Sequence, residues 1–221
     1  MRAMDHLDSV PTRGRTLDYA AGVYDLLEPW VMFGQQSKIN AEVIDALNLQ
    51  KDNRVLDVGC GTGVVTRAIA DRLSKKGNGM AMGIDAAGKM ILGARKKRGA
   101  DNCRFETAAA EDLPFEDESF DSAVSTLFFH HIQLDLKKIA FKELFRVLKP
   151  GGRLVVCDMH IPETAFGWLV AHTSRWILFQ PQIGENIRGV LPGVIEQAGF
   201  TPPVLEKTYL GYISLFTSFK P

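Results

Sequence analysis

Apolar and polar positions along this chain switch period several times, and each switch marks a boundary. Short apolar runs at 54–58, 80–85, 103–107, 121–125 and 153–158 read as buried strands. Between and around them, apolar residues recur at helical spacing over 16–34, 37–47, 64–75, 87–98, 135–148 and 187–198. Ser37 is placed to cap the second helix, and Gly199 to end the last. Pro192 is expected to kink or restart that last helix. Lys149-Pro150-Gly151-Gly152 reads as a firm break between a helix and a strand.

Two final strands, 204–208 and 212–219, are joined only by Tyr209-Leu210-Gly211, which forces them antiparallel. Strands that alternate with helices build a mostly parallel sheet covered on both faces. The expected architecture is therefore α/β and doubly wound: seven strands, mostly parallel, with one antiparallel edge hairpin and helices on both faces. We read residues 1–50 as a helical cap of the same domain, 51–221 as its core and 159–186 as a lid inserted over the ligand edge. Ligands of such sheets bind outside the carboxyl ends of the strands.

At the end of the first strand stands Val55-Leu56-Asp57-Val58-Gly59-Cys60-Gly61-Thr62-Gly63. Glycines let the turn use positive φ and let a ligand touch backbone, and the helix that follows offers N–H groups to an anion. A dinucleotide fingerprint needs glycine at position 64, where this chain has Val64. The third glycine at 63 argues against an NAD-dependent dehydrogenase. Asp57, two residues before Gly59, gains a pyrophosphate nothing. A ligand with an ammonium and a sulfonium, such as S-adenosyl-L-methionine (SAM), does benefit from an acid there.

Asp85, followed by Ala86, ends the second strand and suits a ribose diol, since one carboxylate accepts two hydrogen bonds. It also suits an N-cap of the next helix. After the third strand, Glu111-Asp112-Leu113-Pro114 reads either as a plain turn or as an adenine site, with Asp112 accepting from the amino group and Leu113 packing on the purine.

Charge removes some functions. Lys+Arg and Asp+Glu both number 26, so nothing global favours nucleic acid. Arg95-Lys96-Lys97-Arg98 closes a helix, where cations complement the dipole. Three widely spaced cysteines, Cys60, Cys103 and Cys157, fit no metal or disulfide pattern and suit a reducing, cytoplasmic setting. The opening residues lead into no signal-like apolar region, and no apolar run approaches the ~20 residues a membrane helix needs.

Taken together, VLDVGCGTG (55–63), GIDAAGKMI (83–91), AAEDLPFEDESFD (109–121) and ELFRVLKPGGRLVV (143–156) resemble the class I SAM-dependent methyltransferases. Within them the chain is most similar to the ubiquinone/menaquinone-biosynthesis C-methyltransferase group. The resemblance implies a Rossmann-like fold, SAM as cofactor and S-adenosyl-L-homocysteine as product. It implies that Asp57, Gly59, Cys60, Gly61 and Gly63 hold the methionine end, Asp85 and Ala86 the ribose, and Glu111, Asp112 and Leu113 the adenine end. Tyr24, on a helix that folds over the cofactor in this family, either contacts SAM or is plain core.

The chain departs from the quinone enzymes at Thr126-Leu127-Phe128-Phe129-His130-His131, where those carry a glycine- and asparagine-containing segment. The acceptor is accordingly read more broadly: small, hydrophobic or aromatic, quinone-precursor-like. Phospholipid N-methylation and a non-catalytic SAM-binding regulator are the alternatives. His130, His131 and His160 follow the fourth and fifth strands and are the candidate general bases, His131 being the pocket-facing member. The same two neighbours are equally readable as structural, one under the cofactor loop and one in water. Phe166, Trp168, Trp176, Ile177, Leu178 and Phe179 suit a lid over a hydrophobic or lipid-like acceptor, a homodimer face or shallow peripheral membrane contact.

Overall fold

A computed structural model describes residues 9–14, 34–74, 77–177 and 181–221. The helix read over 16–34, apart from Gly34, lies outside them, as do Tyr24 and the side chains of Trp176–Phe179. Helix α1 (Gln36–Ala46) leads into β1 (Arg54–Val58), α2 (Val64–Ala70), β2 (Met80–Asp85), α3 (Gly88–Arg98), β3 (Cys103–Thr107) and β4 (Phe120–Thr126). A 3-10 turn at Phe129–His131 precedes α4 (Leu134–Val147), β5 (Leu148–Met159), α5 (Ala165–Ile177), α6 (Ile183–Asn186), α7 (Val190–Gln197), β6 (Val204–Tyr209) and β7 (Ile213–Phe219).

These seven strands form one sheet in the order β3-β2-β1-β4-β5-β7-β6. All neighbours from β3 to β5 are parallel, and β7 runs antiparallel to both β5 and β6. The chain order reverses between β1 and β4, so the carboxyl ends there open a crevice. Alternation along each strand sends side chains to two cores. Val55, Ala81 and Val155 pack with α1 and α2, while Leu56, Met82 and Val156 pack with α4 and α7.

Several boundaries differ from the sequence reading, each for a local reason. Helix α1 begins one residue early, with Gln35 and not Ser37 at its N-cap. Helix α2 stops at Ala70, well short of position 75. The Lys149–Gly152 break ends α4, yet these residues remain in β5: Phe120 pairs with Leu148 and Ser122 with Arg153, so the excess is absorbed as a bulge. Part of the region read as lid is the regular helix α5, whose apolar spacing the sequence shows. The last helix starts at Val190 and not at 187, so Pro192 marks a restart and not a kink. With Gly189 as N-cap it falls in the first turn of α7, where its missing N–H has no intrahelical partner to lose.

Candidate cofactor and acceptor site

The glycine turn is built by what its backbone must reach. Gly59, Gly61 and Gly63 all have positive φ, 72°, 53° and 84°. The N–H groups of Gly59 and Cys60 both donate to Ile84 O at 2.9 Å, folding the turn back over β2. A Cβ on Gly59 would lie 2.3 Å from the Phe128 ring, so only glycine fits. Around Gly61 no atom of the described residues lies within 4 Å of the Cβ position, and this backbone lines the cleft. Gly63 instead packs under Phe105 and starts α2, shaping the turn without lining the cleft.

Two acids anchor the turn from below. Asp57, 2% exposed, accepts 2.6 Å from Thr66 Oγ1, and burial, which outweighs that bond, pushes its carboxyl up to about 7. Asp85 accepts from Gly61 N–H at 3.0 Å and from Ala87 N–H at 2.8 Å. It therefore ties the glycine turn to the entry of α3 and lines the cleft. A solvent-open cleft lies beside them. Asp57, Gly59, Cys60, Gly61, Asp85, Ala86 and Glu111 all line it.

Asp112 and Leu113 do not. Asp112 is exposed to solvent, Leu113's side chain is buried in the core, and its N–H donates to Glu143 Oε2 at 3.0 Å. On that side the cleft is walled instead by Met90, Ala108, Ala110 and Glu111.

The three histidines take three different places. His131 lines the cleft beside Leu127, Phe128 and Ile132. His130 turns away from it, its Nδ1 2.8 Å from Asp158 Oδ1. His160 is outside the cleft lining, edge-on to Phe216, and its Nδ1 is buried without a hydrogen-bond partner among the described residues; burial holds the ring below its ordinary value. Leu127, between Thr126 and the histidine turn, sits at φ 53°, a strained conformation for leucine that its N–H bond to Cys157 O (2.8 Å) helps to hold.

Comparison with known proteins narrows the reading. A family model for a methyltransferase domain matches residues 55–152. The demethylmenaquinone methyltransferase of Staphylococcus epidermidis is 35% identical over 216 residues, covering 89% of this chain and 88% of that protein. The chain belongs to the ubiquinone/menaquinone-biosynthesis C-methyltransferase family. The family member of Geotalea daltonii is 34% identical over 150 residues, 66% of this chain and 62% of that one. Phosphoethanolamine N-methyltransferase 2 of Haemonchus contortus, solved with SAM, superposes with a TM-score of 0.70 over 95% of this chain and 58% of that one. At 17% identity this likeness is one of fold.

The protein is thus a SAM-dependent methyltransferase, and its cleft fits that cofactor on its own terms. The backbone cradle at Gly61 is open, two acids flank it, and two buried oxygens on the cleft wall, Gln36 Oε1 and Thr126 Oγ1, lack partners among the described residues. Sequence reasoning missed Gln36, Asn40, Thr126 and Thr12. Thr126 was open to the topological rule, as it ends β4. Thr12 had no periodic signal: it reaches the cleft because Val10 N–H bonds Ala86 O at 3.0 Å and its own hydroxyl donates to Glu111. Among the described residues no helix is long and apolar enough to cross a membrane, and no cluster of side chains is arranged to hold a metal.

Proposed function

We propose that the protein methylates a small, hydrophobic, quinone-precursor-like ring, at a ring carbon made nucleophilic by a neighbouring hydroxyl. The observation that carries this reading is the position of His131, on the apolar wall of the same cleft that the glycine turn, Asp57 and Asp85 line. Relatives named for demethylmenaquinone methylation support the class of acceptor.

In this reading Asp57 and the Gly59–Gly61 backbone hold the methionine end of SAM, Asp85 the ribose, and Ala110 with Glu111 the adenine end. Bound SAM supplies an activated methyl group and leaves as S-adenosylhomocysteine. His131 takes the proton of the ring hydroxyl, which puts electron density on the ring carbon; once that carbon carries the methyl, its hydrogen leaves as a proton and the hydroxyl is restored. Leu127, Phe128 and Ile132 present that ring and exclude water. Helix α5 exposes Phe166, Trp168 and Leu169, a surface suited to the lipid phase in which such acceptors reside.

The test is incubation with methyl-deuterated SAM and either a short-chain demethylmenaquinol or phosphatidylethanolamine vesicles, with mass spectrometry of the products. The reading expects a labelled methyl on the ring carbon. Label confined to the headgroup nitrogen, or to a ring oxygen, contradicts it.

A further inference from the structure

Behind the cleft wall, the fully buried side chain of Asp158 is surrounded by donors. It accepts from Phe129 N–H at 2.6 Å, Met159 N–H at 2.7 Å and Asn186 Nδ2 at 3.3 Å, and pairs with His130 Nδ1 at 2.8 Å. Burial works to raise this carboxyl, but His130 and the Met159 N–H outweigh it and hold the group below the ordinary value. An ionised carboxylate only accepts, so Nδ1 of His130 carries the hydrogen of this bond.

Asp158 therefore grips the histidine turn at two points, its first backbone N–H and its second side chain. The His130 ring in turn lies against His131, centroids 4.0 Å apart and planes at 44°. The turn is held from a third side: Lys137 Nζ, fully buried, donates to Ile132 O at 2.6 Å and to Glu185 Oε2 at 2.7 Å. Glu185 and Asn186 are neighbours on α6, so one short element touches both the carboxylate and the buried ammonium. The titratable groups facing the Asp158–His130 pair are His131 from the turn, Cys157 from β5, Lys137 from α4 and Glu185 beside Lys137.

We propose that Asp158 is a positioning residue for methyl transfer, holding His130 as its Nδ1–H tautomer so that His130 orients the His131 imidazole at the cleft. This rests on the reading of His131 as the base. Asp158 stays ionised throughout: His131 takes the acceptor hydroxyl proton, the methyl leaves sulfur for the ring carbon, and the hydrogen that carbon carried then leaves as a proton while the hydroxyl is restored. Nothing is transferred to Asp158 itself.

The test compares wild type, Asp158→Asn, Asp158→Glu and His131→Ala with SAM and short-chain demethylmenaquinol, and records the 15N tautomer spectrum of His130 without acceptor. For Asp158→Asn we expect kcat to fall about tenfold or more, with SAM affinity within about twofold of wild type. The acid limb of its kcat–pH profile should move to lower pH, because an anion that favours protonated His131 is gone. Asp158→Glu should recover part of kcat, and wild-type His130 should show a single Nδ1–H tautomer that Asp158→Asn loses. Wild-type kcat with an unmoved profile in Asp158→Asn overturns the proposal. So does a parallel loss of kcat, SAM affinity and melting temperature with the profile unmoved, which would make the residue merely structural. Wild-type kcat in His131→Ala sinks the base reading instead, whereas mixed His130 tautomers in wild type sink the positioning claim whatever His131 does.

Discussion

Thr66 Oγ1 donates a 2.6 Å hydrogen bond to the carboxylate of Asp57, nine positions back across the glycine turn. The bond is sealed from solvent, and it is not enough to keep the acid at its ordinary strength: burial lifts it to about 7. A neutral acid does not attract an ammonium, so SAM affinity should weaken as pH falls below about 7. Stability runs the other way. A carboxyl raised above its unfolded value contributes stability that is full below 3.8 and lost as pH rises through 7. Ligand-free protein should therefore lose this contribution toward neutral pH, and Asp57→Asn should flatten both dependences. Calorimetric SAM titrations and thermal melts across the acid-to-neutral range check the two signs.

Asp85→Ala removes the acceptor of two backbone N–H groups, those of Gly61 and Ala87. The loss of these two turn bonds should cost about 1–2 kcal/mol in urea unfolding. SAM affinity should drop about tenfold or more, since the same carboxylate is the ribose partner in our reading. An unchanged affinity would leave Asp85 as an anchor of the turn alone.

Lys137 and Glu185 form an ion pair whose cation is fully buried and whose anion is 22% exposed. Truncating the anion strands the ammonium with one carbonyl, so Glu185→Ala should destabilise by roughly 1–3 kcal/mol. Lys137→Met, which removes the buried charge itself, should cost less. Denaturant midpoints of the two variants, measured at the same pH, give the order.

His131→Ala should lower kcat by about 10²–10⁴ while SAM affinity stays within about twofold. Steady-state kinetics beside calorimetry separates the two quantities. Equal losses in both would point to damage of the cofactor wall.

The strands, the antiparallel end and the glycine turn were legible in the sequence because each is a local pattern: apolar runs, a three-residue connection, glycines at alternate positions. Asp85 was legible because the strand-end rule picks out its position. Placements that no local pattern shows have a different character. Asp112 and Leu113 read as ligand contacts by type, but Glu143, thirty positions on, captures the Leu113 N–H. Thr12 enters the cleft through one backbone bond to Ala86, and Asn186 reaches Asp158 across 28 residues. Pairings of that kind are set by packing and leave no periodicity behind. The bulge at Leu148–Arg153 was hidden by its own composition, since Pro-Gly-Gly stops a helix without telling whether a strand has already begun.

Gly61 offers the most direct test of the claim that this cleft holds the cofactor. A Cβ there meets no atom of the described residues within 4 Å, so Gly61→Ala is expected to bear the cost of a left-handed alanine, about 1–2 kcal/mol, and the fold should survive it. The new methyl would nonetheless project from backbone that lines the cleft beside Asp85. Calorimetric titration of folded Gly61→Ala with SAM is expected to show affinity reduced by about tenfold or more, beyond what the small stability loss explains. Wild-type SAM binding by that variant would contradict the account.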